Sequence, residues 1–284
     1  MNCVECRHDF DDTRSACPHC GRPSLYPNVT LASRPEERQA VQERYATARS
    51  AALSSGLASE LATLESAVES AAVVQARWQS EVDRLVASDS QAAATYYQLI
   101  DSGVRLPDED PWNKLRRHAD EALHGEARKQ IHMAALSPDG RGSTQYGDCF
   151  LTLRADFIAH RATVFTSNSA AFFRGVPIET ATLAARGHRA VWSERAKVAV
   201  AKLASALTPA LSTTSVARLI ARPGATGAAD EFIEVHVFGP MTIRTVESVR
   251  IAASPRRTSR ALAKALRARL KKFDVDLKDS RWTP

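Results

Sequence analysis

The spacing of apolar residues predicts helices in the first half of the chain. From residue 33 to about residue 102, apolar side chains recur every three or four positions, which is the period of an amphipathic helix. Ser33 is the predicted N-cap of this segment, and Pro35 stands in its first turn. Two prolines and an acidic cluster at residues 103–112 then predict a turn, followed by a second helix at about 112–135 that folds back on the first.

Part of the first helical segment follows a heptad. Between Leu57 and Leu85 the apolar positions alternate steps of four and three, which is typical of a coiled-coil seam. Gln75 falls on this seam, where a polar side chain weakens packing and sets the register. Two interpretations stay open: the helix packs within its own subunit, or it forms a homo-oligomer through the seam. The seam residues are Leu57, Leu61, Leu64, Val68, Ala71, Gln75, Trp78, Val82 and Leu85.

The pattern changes to shorter elements after residues 137–148, where turn-forming residues concentrate. Strands are predicted at 149–154 and 162–166, and a last strand in the stretch EFIEVHVFGP. Within that stretch Glu234 and His236 share one face, because side chains alternate along a strand. In a cleft this pair could perform acid–base or ribose-anchoring work, whereas on an open surface it would simply stay solvated. The opposite face carries Ile233, Val235 and Val237.

The C-terminal segment is predicted to be a basic amphipathic helix. Residues 250–284 contain eleven Lys or Arg and three Asp, so the formal net charge of +6 comes mainly from this segment. Its cations face either a polyanion such as nucleic acid or plain solvent. One face carries Leu262, Leu266, Leu270 and Phe273, and another carries Arg260, Lys264, Arg267 and Lys271.

Composition is that of an ordinary globular protein, with 44% hydrophobic and 25% charged residues. The chain lacks the run of about 20 apolar residues that a membrane span needs, so no membrane partner is expected. Residues 1–20 carry charges and cysteines where a secretion signal has an apolar core. A cytoplasmic location is therefore predicted.

Four of the five cysteines form two Cys-x-x-Cys pairs, ten residues apart, at the start of the chain. Each pair can deliver two thiolates to one ion, and four thiolates complete the tetrahedral shell that Zn²⁺ prefers. The segment resembles a zinc ribbon over about 25 residues, with a structural metal and with His8 and His19 as flanking residues. Two disulfides or a redox dithiol are the alternatives, which a reducing compartment disfavours. The predicted zinc ligands are Cys3, Cys6, Cys17 and Cys20.

Three stretches of the second half resemble the strands of bacterial ADP-ribosyltransferase-like effector and toxin domains. They are YGDCFLTLR, RATVFTSNS and EFIEVHVFGP, which together span about 100 residues. In that superfamily an arginine holds the dinucleotide phosphates, a Ser-Thr-Ser-like strand supports the nicotinamide ribose, and a later glutamate fixes a ribose hydroxyl. The resemblance implies NAD as the ligand and Glu234 as the catalytic carboxylate, with His236 standing where the family has a second carboxylate. The implied cofactor-binding residues are Arg154, Thr166 and Ser167.

The sequence thus predicts an α+β multidomain protein. Its parts are a zinc ribbon (1–25), a long coiled-coil-like helical arm (26–136), a mixed α/β catalytic domain (137–254) and a basic C-terminal helix (255–284). The first functional hypothesis is an NAD-using effector whose ribbon and arm serve target recruitment or self-association. The second is a non-enzymatic adaptor that binds nucleic acid or a protein partner through the ribbon and the basic tail.

Overall fold

The computed structural model describes residues 3, 6–9, 16–22, 26–104, 106, 110–209, 211–222, 224, 229–252 and 258–279. Within these ranges, no helix combines the length and the apolar character needed to cross a bilayer. The helices are α1 (Pro27–Ala32), α2 (Pro35–Ser54), α3 (Ala58–Ser70), α4 (Gln79–Leu85), α5 (Tyr96–Asp101), α6 (Pro111–His124), α7 (Ala155–Ile158), α8 (Ser169–Phe172), α9 (Ile178–Ala184), α10 (Arg195–Leu203), α11 (Thr213–Ile220) and α12 (Thr258–Leu270). The strands are β1 (Ala72–Arg77), β2 (Ile131–Ser137), β3 (Cys149–Leu153), β4 (Ala162–Phe165), β5 (Arg189–Val191), β6 (Ala221–Arg222), β7 (Glu231–Phe232), β8 (Glu234–Phe238), β9 (Val246–Ile251) and β10 (Asp276–Asp279).

Eight of these strands form one mixed sheet in the order β10-β9-β3-β1-β2-β8-β4-β5. Neighbouring strands are antiparallel except β9 and β10, which are parallel. The remaining two, β6 and β7, form a separate antiparallel pair. The fold is therefore mixed α+β, as the sequence predicted.

The predicted heptad seam does not form, because α3 ends at Ser70 and β1 follows it. Gln75 lies within β1, where its Nε2 donates to the carbonyl of Met133 across the strands (3.1 Å). The run Ala-Ala-Val-Val at residues 71–74 is apolar on every side, so it matched a helical seam and a two-sided buried strand equally well. Upstream of this run, Leu61, Leu64 and Val68 are buried within their own chain.

The helical arm and the α/β domain are not separate in the structure. β1 and β2 come from the segment predicted as the arm, and they lie between β3 and β8 at the centre of the sheet. The predicted boundary near residue 137 therefore falls at the end of a central strand, and the second predicted helix is shorter, ending at His124 before β2 begins. Strand pairing far along the chain, which no local pattern encodes, joins the two halves.

The sheet has an apolar face and a polar face. The apolar face carries Ile233, Val235 and Val237, whose side chains join the main core with residues of α2, α3, α10 and α11. The polar face carries Glu234 and His236, as the alternation predicted. A second, smaller core lies on the polar side, between β4 and the helices α6, α8 and α9; its buried residues are Ala119, Leu123, Phe165, Phe173, Ala181 and Ala185.

The basic C-terminal segment packs on the rest of the fold. Leu266 and Leu270 of α12 are fully buried in the main core, and the chain continues into β10 at the edge of the sheet. Of the cations predicted to contact a polyanion, Lys264, Arg267 and Lys271 are exposed. Arg260 belongs to α12, but its side chain lies outside the described residues.

Candidate functional site

The four N-terminal cysteines lie together as a candidate metal centre. All four Sγ atoms lie within 4.8 Å of one another, and all five cysteines of the chain are free thiols. The Sγ atoms of Cys3 and Cys20 are 3.5 Å apart, and those of Cys6 and Cys17 are 3.6 Å apart. A tetrahedral ion with Zn–S bonds of about 2.3 Å needs sulfurs about 3.8 Å apart. The cluster can therefore hold a metal ion such as zinc.

The two Cys-x-x-Cys segments fold in the same way. The amides of Arg7 and Gly21 each donate to the carbonyl of the first cysteine of their segment, Cys3 and Cys17, at 2.9 Å. Both residues have a positive φ, 57° at Arg7 and 71° at Gly21, which glycine adopts readily and arginine does not. The repeated turn points two thiols of each segment at one centre.

On the polar face of the sheet, Glu234 is the centre of a hydrogen-bond network. Its Oε1 accepts from Nη1 of Arg116 at 2.8 Å. Its Oε2 accepts from the backbone amide of Ser169 at 3.0 Å and lies 3.2 Å from Nε2 of His236. The carboxylate is almost fully buried, with 2% of its side chain exposed. The amide of Ser169 begins α8 and has no partner within that helix, so Glu234 satisfies it.

Arg116 joins α6 to this network. Besides Glu234, its guanidinium donates to Oγ of Ser169 and to Oδ1 of Asn168, each at 2.9 Å. Asp120, one turn further along α6, places Oδ1 3.7 Å from Nη1 of Arg116. One guanidinium thus lies between two carboxylates.

A cavity of about 470 Å³ opens beside this network; we name it the central pocket. Its floor is the polar face of β1 and β2, where Val74 pairs with Ala135 and Ala135 pairs with Glu234. Small side chains at Ala76 and Ala135 leave the space that larger residues would fill. The volume suits a small-molecule ligand.

Aromatic side chains form much of the wall of the central pocket. Trp112 of α6 stands one turn before Arg116 and two turns before Asp120, so all three lie on one stripe of the helix. Tyr97 of α5 donates its hydroxyl to Oδ2 of Asp120 at 2.8 Å. The other aromatic lining residues are Trp78, Tyr96, Tyr146 and Phe232.

The two carboxyl groups of the pocket differ in their pKa values. Burial alone would raise the pKa of Glu234, but Arg116 and the hydrogen bonds from His236 and Ser169 outweigh it and hold the pKa well below the usual range. For Asp120 burial dominates and raises the pKa to about 6, against the opposing effects of Arg116 and Tyr97. Glu234 therefore stays ionised, while Asp120 titrates just below neutral pH.

No family model, curated protein or solved structure matches this chain. The resemblance to ADP-ribosyltransferase-like domains therefore gains no support from known proteins. What remains is the geometry of the two sites.

The predicted NAD-binding residues do not assemble around Glu234. Arg154 follows β3, which β1 and β2 separate from β8, and strands lie about 4.8 Å apart. Its guanidinium donates instead to the carbonyls of Val246 (3.2 Å) and Asp274 (3.4 Å) at the other side of the sheet. The expectation that Arg154 holds a phosphate beside Glu234 is thus corrected, because two strands from the predicted arm lie between them.

The other predicted residues, Thr166, Ser167 and His236, lie nearer to Glu234, but none of them lines the central pocket. His236 is buried behind Glu234, with its ring 4.6 Å from that of His124, and it does not border the central pocket. Thr166 is buried, and its backbone amide donates to the carbonyl of His188 (2.9 Å). Ser167 is half-buried, and the two residues after it, Asn168 and Ser169, make the contacts with the network.

Sequence reasoning missed Arg116 and Asp120, because no chemistry was expected between residues 26 and 136. A signal was present: Trp112, Arg116 and Asp120 recur at intervals of four along a helix whose other stripe carries Ala119 and Leu123. From the sequence alone, a charged stripe on a helix is interpreted as a solvent-exposed surface, because the pattern does not show that a sheet covers it.

Proposed function

We propose that the central pocket binds the nicotinamide–ribose end of NAD and that the chain cleaves or transfers across its N-glycosidic bond. The observation that carries this proposal is the ionised carboxylate of Glu234 beside an aromatic-lined cavity. Aromatic rings stack on planar bases, and a carboxylate accepts hydrogen bonds from ribose hydroxyls.

Cleavage of the glycosidic bond is favoured by a fixed negative charge beside the ribose. When the glycosidic bond breaks, its electron pair leaves with the nicotinamide nitrogen and positive charge builds on the ribose. The oxygen of water, or a nucleophile of a target, then supplies an electron pair to the ribose carbon and loses its proton to solvent or to a base. A buried carboxylate such as Glu234 stabilises the transient cation, and Arg116 and Ser169 hold it in position.

NAD consumption by the purified full-length protein tests the proposal. We expect Glu234→Gln to abolish turnover and Arg116→Ala to impair it strongly. Arg154→Ala is the matched control, because that arginine lies away from the pocket and turnover should persist. Circular dichroism checks that each variant is folded. Absence of NAD turnover and of NAD binding by the wild-type chain, or full turnover by folded Glu234→Gln, would refute the proposal.

The metal centre is proposed to be a structural zinc ribbon. Four thiolates complete the coordination shell and leave no position for a reacting water. We assign the ribbon a docking role toward a protein or nucleic-acid target of the chain.

A second candidate function, binding of a nucleic acid, is favoured by α12. Its buried leucines, Leu266 and Leu270, orient Lys264, Arg267 and Lys271 toward solvent. We expect charge reversal of these three cations to weaken binding of a duplex oligonucleotide and to flatten its salt dependence. Reversal of the exposed Arg174, on another part of the fold, is the control. Binding that ignores both salt and the three cations would exclude this function.

A further inference from the structure

We infer that the central pocket selects a planar organic cation, with Asp120 as its counter-charge and aromatic rings as its walls. This inference deepens the proposed function, since the nicotinamide ring of NAD⁺ is such a cation, but it is tested without NAD.

Asp120 is the least compensated of the charges that border the pocket. Among the described residues the charged lining side chains are Arg77, Arg116, Asp120 and Glu234. Arg77 is paired with Glu81 at 3.3 Å, so its charge is already compensated. Arg116 is engaged by Glu234 at 2.8 Å. Asp120, which lies 3.7 Å from Arg116, is the carboxylate left over once Glu81 and Glu234 are paired with the two arginines. The tyrosines beside it are neutral, because burial raises the pKa of both, that of Tyr146 to about 12.

One oxygen of Asp120 lacks a hydrogen bond. Oδ2 accepts from Tyr97, whereas Oδ1 makes no hydrogen bond to any residue that the structure describes, although it is buried. A buried carboxylate oxygen that accepts no hydrogen bond is costly, and the nearest cation, Nη1 of Arg116, is 3.7 Å away. A bound cation removes that cost by pairing with it, which an uncharged ligand does far less well.

The walls supply the second part of cation recognition. Organic cations bind over the faces of Trp and Tyr rings within about 6 Å of the centroid. Trp112 stands on the same stripe of α6 as Asp120, and Tyr146 faces the pocket from the opposite loop. One face of Tyr97 is covered by Arg128, 5.6 Å from the ring centroid, so that ring contributes its hydroxyl to Asp120 more than its face to a ligand.

The groups that surround Asp120 determine the pH range in which the pocket prefers a cation. They are Tyr97 of α5, Arg116 of α6, and Glu234 and His236 of β8. Since burial raises the pKa of Asp120 to about 6, its charge is present above that pH and is lost below it. The preference for a cation should follow the same course.

The test compares two probes of nearly equal shape, 1-methylnicotinamide (a cation) and nicotinamide (neutral), by calorimetric titration of the full chain. At pH 7.5 we expect the cation to bind at least tenfold more tightly, and at pH 5.0 we expect the preference to fall to less than threefold. Asp120→Asn should lose the preference at pH 7.5, whereas Asp139→Asn, at an exposed loop aspartate, should keep it.

The outcomes separate this inference from the proposed function. Equal affinity for the two probes, no binding of either, or an unchanged preference in Asp120→Asn overturns the inference, and the wild-type pH comparison decides even where that variant does not fold. Cation preference without NAD turnover supports the inference and refutes the glycosidic chemistry. NAD turnover without cation preference supports the glycosidic chemistry and refutes the inference.

Discussion

The guanidinium of Arg116 and the carboxylate of Glu234 meet at 2.8 Å although 118 positions separate them in the chain. Arg116 comes from α6 and Glu234 from a central strand, so the pair fastens a covering helix to the sheet. The same contact bounds the central pocket. Stability and site geometry therefore depend on one buried ion pair.

Breaking this pair from one side should be more harmful than removing it entirely. Arg116→Met leaves Glu234 buried without its cation, and we expect a loss of about 3–5 kcal/mol in unfolding free energy at pH 7. The double variant Arg116→Met/Glu234→Gln should recover part of that loss, because the charge of Glu234 is removed and only Asp120 still lacks its arginine. Urea denaturation measures both. Lys129→Met, whose ion pair with Asp101 leaves both side chains about half exposed, should cost less than about 1 kcal/mol, and an equal loss there would contradict the assignment.

The cysteine cluster predicts a metal content. We expect about one zinc per chain by elemental analysis. Cys17→Ser should lose the ion to a chelator that leaves the wild-type site loaded, because three thiolates bind zinc less tightly than four. Cys149→Ala is the matched control, because Cys149 lies in β3, apart from the cluster. The zinc content of this variant should equal that of the wild type. Loss of zinc from both variants would mean that general unfolding, and not ligation, releases it.

Local patterns predicted the elements that a single periodicity defines. The two-residue alternation around Val235 identified both faces of β8, and Cys-x-x-Cys spacing identified the thiol cluster. They failed at β1, where Val73 and Val74 are both buried, one on each side of the sheet. A strand covered on both faces shows no alternation of apolar and polar residues, so its residues were assigned to the neighbouring helix.

The site was predictable only in part, because it is built from contacts between distant segments. Glu234 was identified from its own strand, yet its partners Arg116 and Ser169 lie 118 and 65 positions away. Arg154 was assigned because the resemblance puts an arginine on an early strand, but two intervening strands separate it from the pocket. Strand order decides which side chains meet, and strand order is a property of the whole sheet.

A buried histidine predicts loss of stability in acid. Burial, together with the charges of Arg77 and Arg161, lowers the pKa of His132 to about 3, and its Nδ1 lies 3.3 Å from Nη2 of Arg77. Arginine can only donate, so Nδ1 must be unprotonated. Because the folded-state pKa is depressed, this stability is complete above about pH 6.5 and falls as pH drops toward 3, by up to about 1.4 kcal/mol per pH unit.

His132→Gln should reduce that slope, since the glutamine oxygen can still accept from Arg77 but cannot be protonated. Denaturant titrations at pH 7, 5 and 4 provide the measurement. His8→Gln is the control, because His8 is exposed. If the unfolding free energies of the wild type and His132→Gln fall in parallel as pH drops, His132 is not the cause of the loss of stability in acid.

Two glycines predict different costs for the same substitution. At Gly147 (φ 151°) an added Cβ would lie 2.2 Å from the carbonyl carbon of Arg77, whereas at Gly175 (φ 77°) nothing lies within 4 Å. Gly175→Ala should cost about 1 kcal/mol, which is the backbone strain alone. Gly147→Ala should cost clearly more, because the loop must move away from the end of β1 beside the pocket. Thermal unfolding of the two variants compares them, and equal losses would contradict the close approach at Gly147.

Asp120 should reduce stability while serving the pocket. The burial that raises its pKa to about 6, from 3.8, means that the folded state holds an unfavourable charge above pH 6 and that this penalty disappears as pH falls toward 4. Asp120→Asn should therefore raise the unfolding free energy by roughly 1–3 kcal/mol at pH 7.5 and by much less at pH 4. Asparagine can still accept from the hydroxyl of Tyr97, so the packing is kept. Asp139→Asn, at an exposed aspartate, should change stability by less than about 0.5 kcal/mol. A decrease in stability of Asp120→Asn at pH 7.5 would mean that Arg116 already compensates the charge, and the pocket would then have no excess negative charge to offer a ligand.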